Sequence, residues 1–141
     1  MKPKSDPAEL RRTFERHRAE PDLSPADYLR WLRIELGESL ISRWAVYLDT
    51  KYWIYLRDAH LERPQHHTHP ELLERLVELV MAGKAFCPLS AMTFVEILEQ
   101  SVPESRAATA HLVDTLSLGV SLCVDHERAA TEVAYVFHGR R

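Results

Sequence analysis

Two acids in this chain stand where they could share a task. Asp49 closes the apolar run Trp44-Ala-Val-Tyr-Leu48, and Glu96 lies six residues beyond Ser90, which closes the run Ala85-Phe-Cys-Pro-Leu89. An apolar strand that stops on a polar residue and turns into a helix presents that residue at the rim of an α/β sheet. Ligands of open α/β sheets bind outside the carboxyl ends of the strands. If the two strands are parallel neighbours, both carboxylates converge above the sheet. Hard divalent cations such as Mg²⁺ and Mn²⁺ prefer carboxylate oxygens and water. Such an ion lowers the pKa of a bound water and neutralises charge on a phosphodiester. The same residues have a plain structural use: Asp49 caps the helix that follows, and Glu96 makes a surface ion pair.

Other reactive groups form looser sets. His60, His66, His67 and His69 make a local imidazole cluster in the segment 60–70, which also holds Pro64 and Pro70. Imidazole suits Zn²⁺ or Ni²⁺, but no cysteine lies nearby, and the segment is expected to be a polar solvated loop. Trp44, Tyr47, Tyr52, Trp53 and Tyr55 crowd around Asp49. Such rings can stack bases, although packing in the core around the strand is the expected use. Cys87 sits in an apolar run and reads as a buried thiol. It and Cys123 make neither a disulfide framework nor a CxxC metal site. There is no Gly-rich phosphate loop and no GxSxG motif.

The elements that must position these groups follow from local pattern. Residues 1 to 23 are polar and predict a peripheral charged arm. Ser24-Pro25-Ala-Asp27 predicts a helix start, with Ser24 as N-cap, Pro25 in the first turn and Asp27 on the positive end of the helix dipole. Tyr28, Leu29, Trp31, Leu32 and Leu36 fall mostly on one face of that helix, and Gly37 is its expected stop. Trp44 to Leu48 predicts a strand buried on both faces, as in a parallel sheet. A helix is expected over 51–60, a loop over 60–70, and an amphipathic helix from Glu71 to about Met81, closed by Gly83. Ala85 to Leu89 is the second strand, with Pro88 marking an irregularity in its pairing. Ser90 caps the helix that carries Glu96. Further helices are expected over 104–117 and 127–137, with 119–124 as a third strand or an extended loop between them. This order gives the α/β class, with parallel strands joined by right-handed crossovers.

The chain has 141 residues, 45% of them hydrophobic and 28% charged, which suits one ordinary globular domain with a core of its own. Its net charge of −3 argues against a large non-specific nucleic-acid surface, since binders that rely on phosphate contacts are basic. It leaves room for an enzyme that reaches a phosphate through metal ions. The N-terminus lacks the apolar core of a signal peptide, and no stretch approaches the ~18 uncharged apolar residues of a membrane span. A cytoplasmic protein with no membrane partner is therefore expected.

Tyr47-Leu-Asp49-Thr-Lys-Tyr-Trp-Ile-Tyr55 resembles the opening motif of PIN-domain ribonucleases, in which an apolar strand ends in Asp-Thr. Phe86-Cys-Pro-Leu-Ser90-Ala-Met-Thr-Phe-Val-Glu96-Ile-Leu98 is similar to that family's second motif, a strand, a Ser and an apolar helix bearing the second acid. The resemblance covers roughly residues 44 to 100. It implies a PIN-like α/β/α fold with a central parallel sheet, incomplete at the C-terminus. The corresponding organisation is an N-terminal helical extension over 1–43 and the PIN-like domain over 44–141. It also implies metal-dependent hydrolysis of RNA, with Mg²⁺ or Mn²⁺ held by Asp49 and Glu96, which serve as both metal ligands and catalytic residues. Many family members are toxins of toxin–antitoxin pairs, so the implied partners are an RNA substrate, an antitoxin or other protein, and a second copy in a homodimer. The sequence departs from the pattern at Lys51, where Asn or Ser is usual. It departs again in its later acids: Asp125-His-Glu only loosely matches the start of the third-acid helix, Asp114 reads as structural or superficial, and no fourth acid follows. Two alternatives stay open. One is a catalytically incomplete PIN-like module that binds protein or RNA without cutting. The other is a subunit whose exposed sheet edge is completed by another chain.

Overall fold

The computed structural model describes residues 17–19, 22–122, 129, 130 and 133. Within them the chain is mixed α/β, with helices dominating and a small parallel sheet at the centre. Helix α1 spans Pro25–Leu40, strand β1 Trp44–Ala45, α2 Thr50–His60, α3 Thr68–Met81, β2 Ala85–Phe86, α4 Ala91–Leu98 and α5 Pro103–Ser117.

Helix α1 begins as its sequence dictates. The Ser24 hydroxyl accepts from the Asp27 amide at 3.2 Å and donates to the Asp27 carboxylate at 2.6 Å. Gly37, the expected stop, lies inside the helix instead. A lone interior glycine costs only ~1 kcal/mol. The turn beyond it is held by Ser39, which is buried and donates to the Leu36 carbonyl at 2.7 Å. Tyr28 and Leu32 of α1, with Leu23 and Leu36 against them, form a small cluster separate from the main core.

Strands β1 and β2 run parallel, with Trp44 opposite Ala85 and Ala45 opposite Phe86. The amides of Trp44 and Val46 donate to the carbonyls of Lys84 and Phe86 at 2.8 and 2.9 Å. The far side of the second run is occupied too. Cys87 N–H donates to Leu116 O at 2.8 Å, Leu89 N–H to Val120 O at 3.1 Å, and Leu122 N–H to Leu89 O at 2.9 Å. A single parallel bridge joins Leu89 to Ser121, so the 120–122 segment lies beside the second run as a rudimentary third strand. Pro88 has no N–H to give, and the ladder skips it.

Burial separates the two runs. Residues 85–89 are all buried, whereas Trp44 is 71% exposed and Tyr47 55% exposed. This corrects the expectation that the first strand is covered on both faces. Alternate residues take opposite faces: Leu48 is buried and Val46 packs on the core, whereas Ala45 and Tyr47 lie on the other face and are exposed, as is Trp44 at the start of the strand. The expected core role of the aromatics holds only in part: Trp53 is fully buried, but Trp44, Tyr47 and Tyr52 are exposed.

The core gathers Leu48, Trp53 and Leu56 with Leu76 and Val80 of α3, Cys87, Leu89, Ile97 of α4, and Leu112 and Leu116 of α5. Helix α3 starts at Thr68, three residues before the expected Glu71, and so takes His69 and Pro70 out of the loop. It ends in a Schellman arrangement: Gly83 is left-handed at φ +67°, its N–H donates to Val80 O at 2.9 Å, and Lys84 N–H donates to Leu79 O at 2.9 Å. That reversal aims the chain into β2. Most of the polar arm over 1–23, most of the helix expected over 127–137, Cys123 and Asp125 lie outside the described residues. Among the described residues, no helix is long and apolar enough to cross a membrane.

Candidate active site

The sheet and its crossovers bring the two acid-bearing motifs to the same rim. Asp49 is the N-cap of α2 with extended backbone (φ −66°, ψ 155°), and its Oδ1 accepts from the Thr50 amide at 2.8 Å. Its carbonyl takes the first helical bond, from Tyr52 N–H at 2.8 Å. The capping use that the sequence left open is therefore real. It engages one oxygen of the carboxylate and also fixes where that carboxylate sits.

Glu96 lies in the second turn of α4, and Ser90 is the N-cap of that helix. The Thr50 hydroxyl donates to Glu96 Oε2. Thr50 follows Asp49 directly, so this one contact ties the second acid to the neighbourhood of the first. Both carboxylates face solvent, and neither is in an ion pair with a described residue. The surface ion pair once open for Glu96 is thus replaced by a hydroxyl.

Ser90 links the two rims a second time. Its hydroxyl accepts from the Thr93 amide at 3.1 Å, which caps α4, and donates to the Thr93 hydroxyl at 2.9 Å. It also accepts from the Tyr47 hydroxyl at 3.4 Å, just before Asp49 in the chain. The sequence offers Tyr47 only as a ring that could stack bases, and offers Thr50 only as part of the Asp-Thr pair. The Asp-Thr pair of the opening motif was the available signal, but the use of its hydroxyl depends on a partner 46 residues away.

The other candidates fall elsewhere. A cleft of about 380 Å³ opens beside Ser90 and is lined by Phe94, Asp114, Val120 and Leu122 among others, but neither Asp49 nor Glu96 lines it. Asp114 is exposed on α5 and borders that cleft rather than the acid pair. His60 lies at the end of α2 with its ring centroid 5.7 Å from that of His111, away from the other three histidines. Among the described residues, no group of three or more His, Cys, Asp or Glu is arranged to hold a metal ion.

The donor set bears on the choice of ion. Two carboxylates with a neighbouring hydroxyl are oxygen donors of the hard kind that Mg²⁺ and Mn²⁺ accept. Two such ligands would leave most of the coordination sphere of an ion to water and other oxygens.

No family model, no curated protein and no solved structure matches this chain.

Proposed function

We propose that the chain is a PIN-like, metal-dependent ribonuclease whose site is built on Asp49 and Glu96. The observation that carries this reading is the Thr50–Glu96 hydrogen bond, which draws the acid of the second motif to the acid of the first at the carboxyl ends of adjacent parallel strands. The PIN-like α/β/α fold, the RNA substrate and the toxin role belong to the same proposal.

Asp49 and Glu96 would hold Mg²⁺ or Mn²⁺. When bound, that ion supplies a water of lowered pKa and charge neutralisation at the phosphodiester. The chain's own residues prepare the place for it. The cap bond to the Thr50 amide orients the Asp49 carboxylate, and the Thr50 hydroxyl holds one oxygen of Glu96 and leaves the other for an ion. Ser90 and Tyr47 keep the two rims in register.

The test is Mn²⁺-dependent cleavage of single-stranded RNA by the wild type, Asp49→Asn and Glu96→Gln. Cleavage by the wild type that is lost in both variants supports the proposal. Cleavage indifferent to both changes overturns it.

A second reading has an observation of its own. Among the described residues no third acid joins the pair, which favours a module that binds RNA or protein without cutting. It is supported if the wild type binds RNA yet leaves it intact at saturating Mn²⁺.

A further inference from the structure

A chain of side chains runs along α2 to the histidine segment. It starts at Lys51, whose Nζ stands 5.1 Å from the centroid of the Tyr52 ring. Tyr52 meets Tyr55 edge to face at 6.1 Å, and Tyr55 stacks on His69 at 4.7 Å with the planes only 11° apart. His69 is followed by His66 at 5.7 Å, and His66 by His67 at 4.2 Å. The inner members, Tyr55 and His69, are half-buried, whereas Lys51, Tyr52, His66 and His67 are exposed.

From this geometry we infer that the series is a stacking track for a single-stranded nucleic acid. The inference rests on the proposal that the acid pair acts on RNA, and it names how that RNA is held. Phosphate contacts alone are a poor basis for binding here, because the net charge is −3 and the acid pair itself repels a polyanion. Stacking avoids that difficulty: every base has a π-face, so aromatic side chains bind unpaired bases with little regard to sequence. The two ends of the series present their rings to solvent, and the stacked pair between them holds the ends in place. One end lies in the first turn of the helix that Asp49 caps.

Packing alone explains the middle of the series but not its ends. Tyr55 against His69 fastens the start of α3 to α2, as any core-edge contact would. Tyr52 is 40% exposed with a lysine over one part of its ring. The His66 Nδ1 is engaged by the hydroxyl and amide of Thr68, at 2.8 and 3.3 Å, which holds the ring upright without burying it.

Fluorescence anisotropy of the full chain with a labelled, unstructured oligouridylate tests this, in EDTA so that nothing is cut. Tyr52→Leu and the double change His66→Ala with His67→Ala should each weaken binding at least about 5-fold, the low end of the loss expected for one stacked base. Tyr52→Phe keeps the ring and should bind within about twofold of wild type. A duplex of mixed sequence should bind far more weakly than the single strand, because its bases are already stacked on one another. Circular dichroism melts identify any variant that has lost its fold, and the Phe variant separates ring from volume. If the Leu and double-Ala variants bind like wild type, or the duplex binds as tightly as the single strand, the track does not exist. Failure here is distinct from failure of the catalytic proposal. Asp49→Asn should bind the oligomer at least as tightly as wild type while losing Mn²⁺-dependent cleavage. Ring variants that bind normally beside an inactive Asp49→Asn overturn the track alone, whereas weakened ring variants beside an active Asp49→Asn overturn the nuclease alone.

Discussion

Thr50→Val isolates the contact on which the candidate site depends. Valine keeps the β-branched shape and nearly the volume of threonine, and the residue sits at the first position of α2, where the backbone demands little of its side chain. What is lost is the hydroxyl that donates to Glu96. A hydrogen bond to a charged group contributes about 1.5–3 kcal/mol when well shielded. Glu96 is exposed and Thr50 half-buried, so water takes over part of the role. The expected loss of stability is therefore ~1 kcal/mol, about half the shielded value. For a domain of this size that lowers the melting temperature by roughly 2–6 °C. The effect on metal should be larger, because groups that orient a ligand typically contribute about 10- to 100-fold in metal affinity. Two assays check this: thermal melts without metal, and Mn²⁺ titration followed by water-proton relaxation. A double-mutant cycle with Glu96→Gln gives the decisive comparison, since coupled residues depart from additivity by more than ~0.5 kcal/mol. If Thr50→Val has the same effect on stability and on Mn²⁺ affinity whether or not Glu96 is present, the hydroxyl does not serve Glu96 and the assembled site is an accident of proximity.

Two further outcomes follow from the core. Leu116 is fully buried where α5 meets the second strand run, so Leu116→Ala should destabilise the chain by about 2–5 kcal/mol in urea titration, with a lowered midpoint; a shift below ~1 kcal/mol would mean that α5 is not part of the core. Burial pushes the Cys87 thiol up from its ordinary 9.0 to about 11. The folded chain therefore keeps a proton that the unfolded chain releases, so the stability contributed by the neutral thiol is complete below pH 9 and is lost as pH rises from 9 towards 11. The stability difference between wild type and Cys87→Ala should shrink across that window, and a constant difference would show the thiol is not buried; alkylation of native Cys87 near neutral pH should likewise be far slower than in urea.

Much of the fold is written locally. Ser24, Asp49 and Ser90 cap their helices because a short polar side chain after extended backbone satisfies an orphan amide wherever it occurs. Gly83 closes α3 because the left-handed turn there carries no penalty for glycine. The parallel pairing of the two apolar runs follows from the crossover helices between them. What local pattern misjudged was burial. The run Trp44–Leu48 is as apolar as Ala85–Leu89, yet only the second is buried throughout, because coverage depends on what packs against each face of a strand and not on the strand itself. Gly37 misled for a similar reason: a weak propensity is outweighed by the bonds of the turn that follows.

The candidate site divides along the same line. Sequence alone determined which groups are available: two carboxylates after two apolar runs, a hydroxyl next to the first, and rings and imidazoles in the helix and loop beyond. Only the tertiary structure decided their company. It set Thr50 against Glu96, Tyr47 against Ser90, and Tyr55 against His69, contacts between residues distant in the chain that follow from the register of β1 on β2 and the seating of α2 against α3 and α4. A side chain's chemical type is a property of one position, whereas its partner is a property of the packed whole.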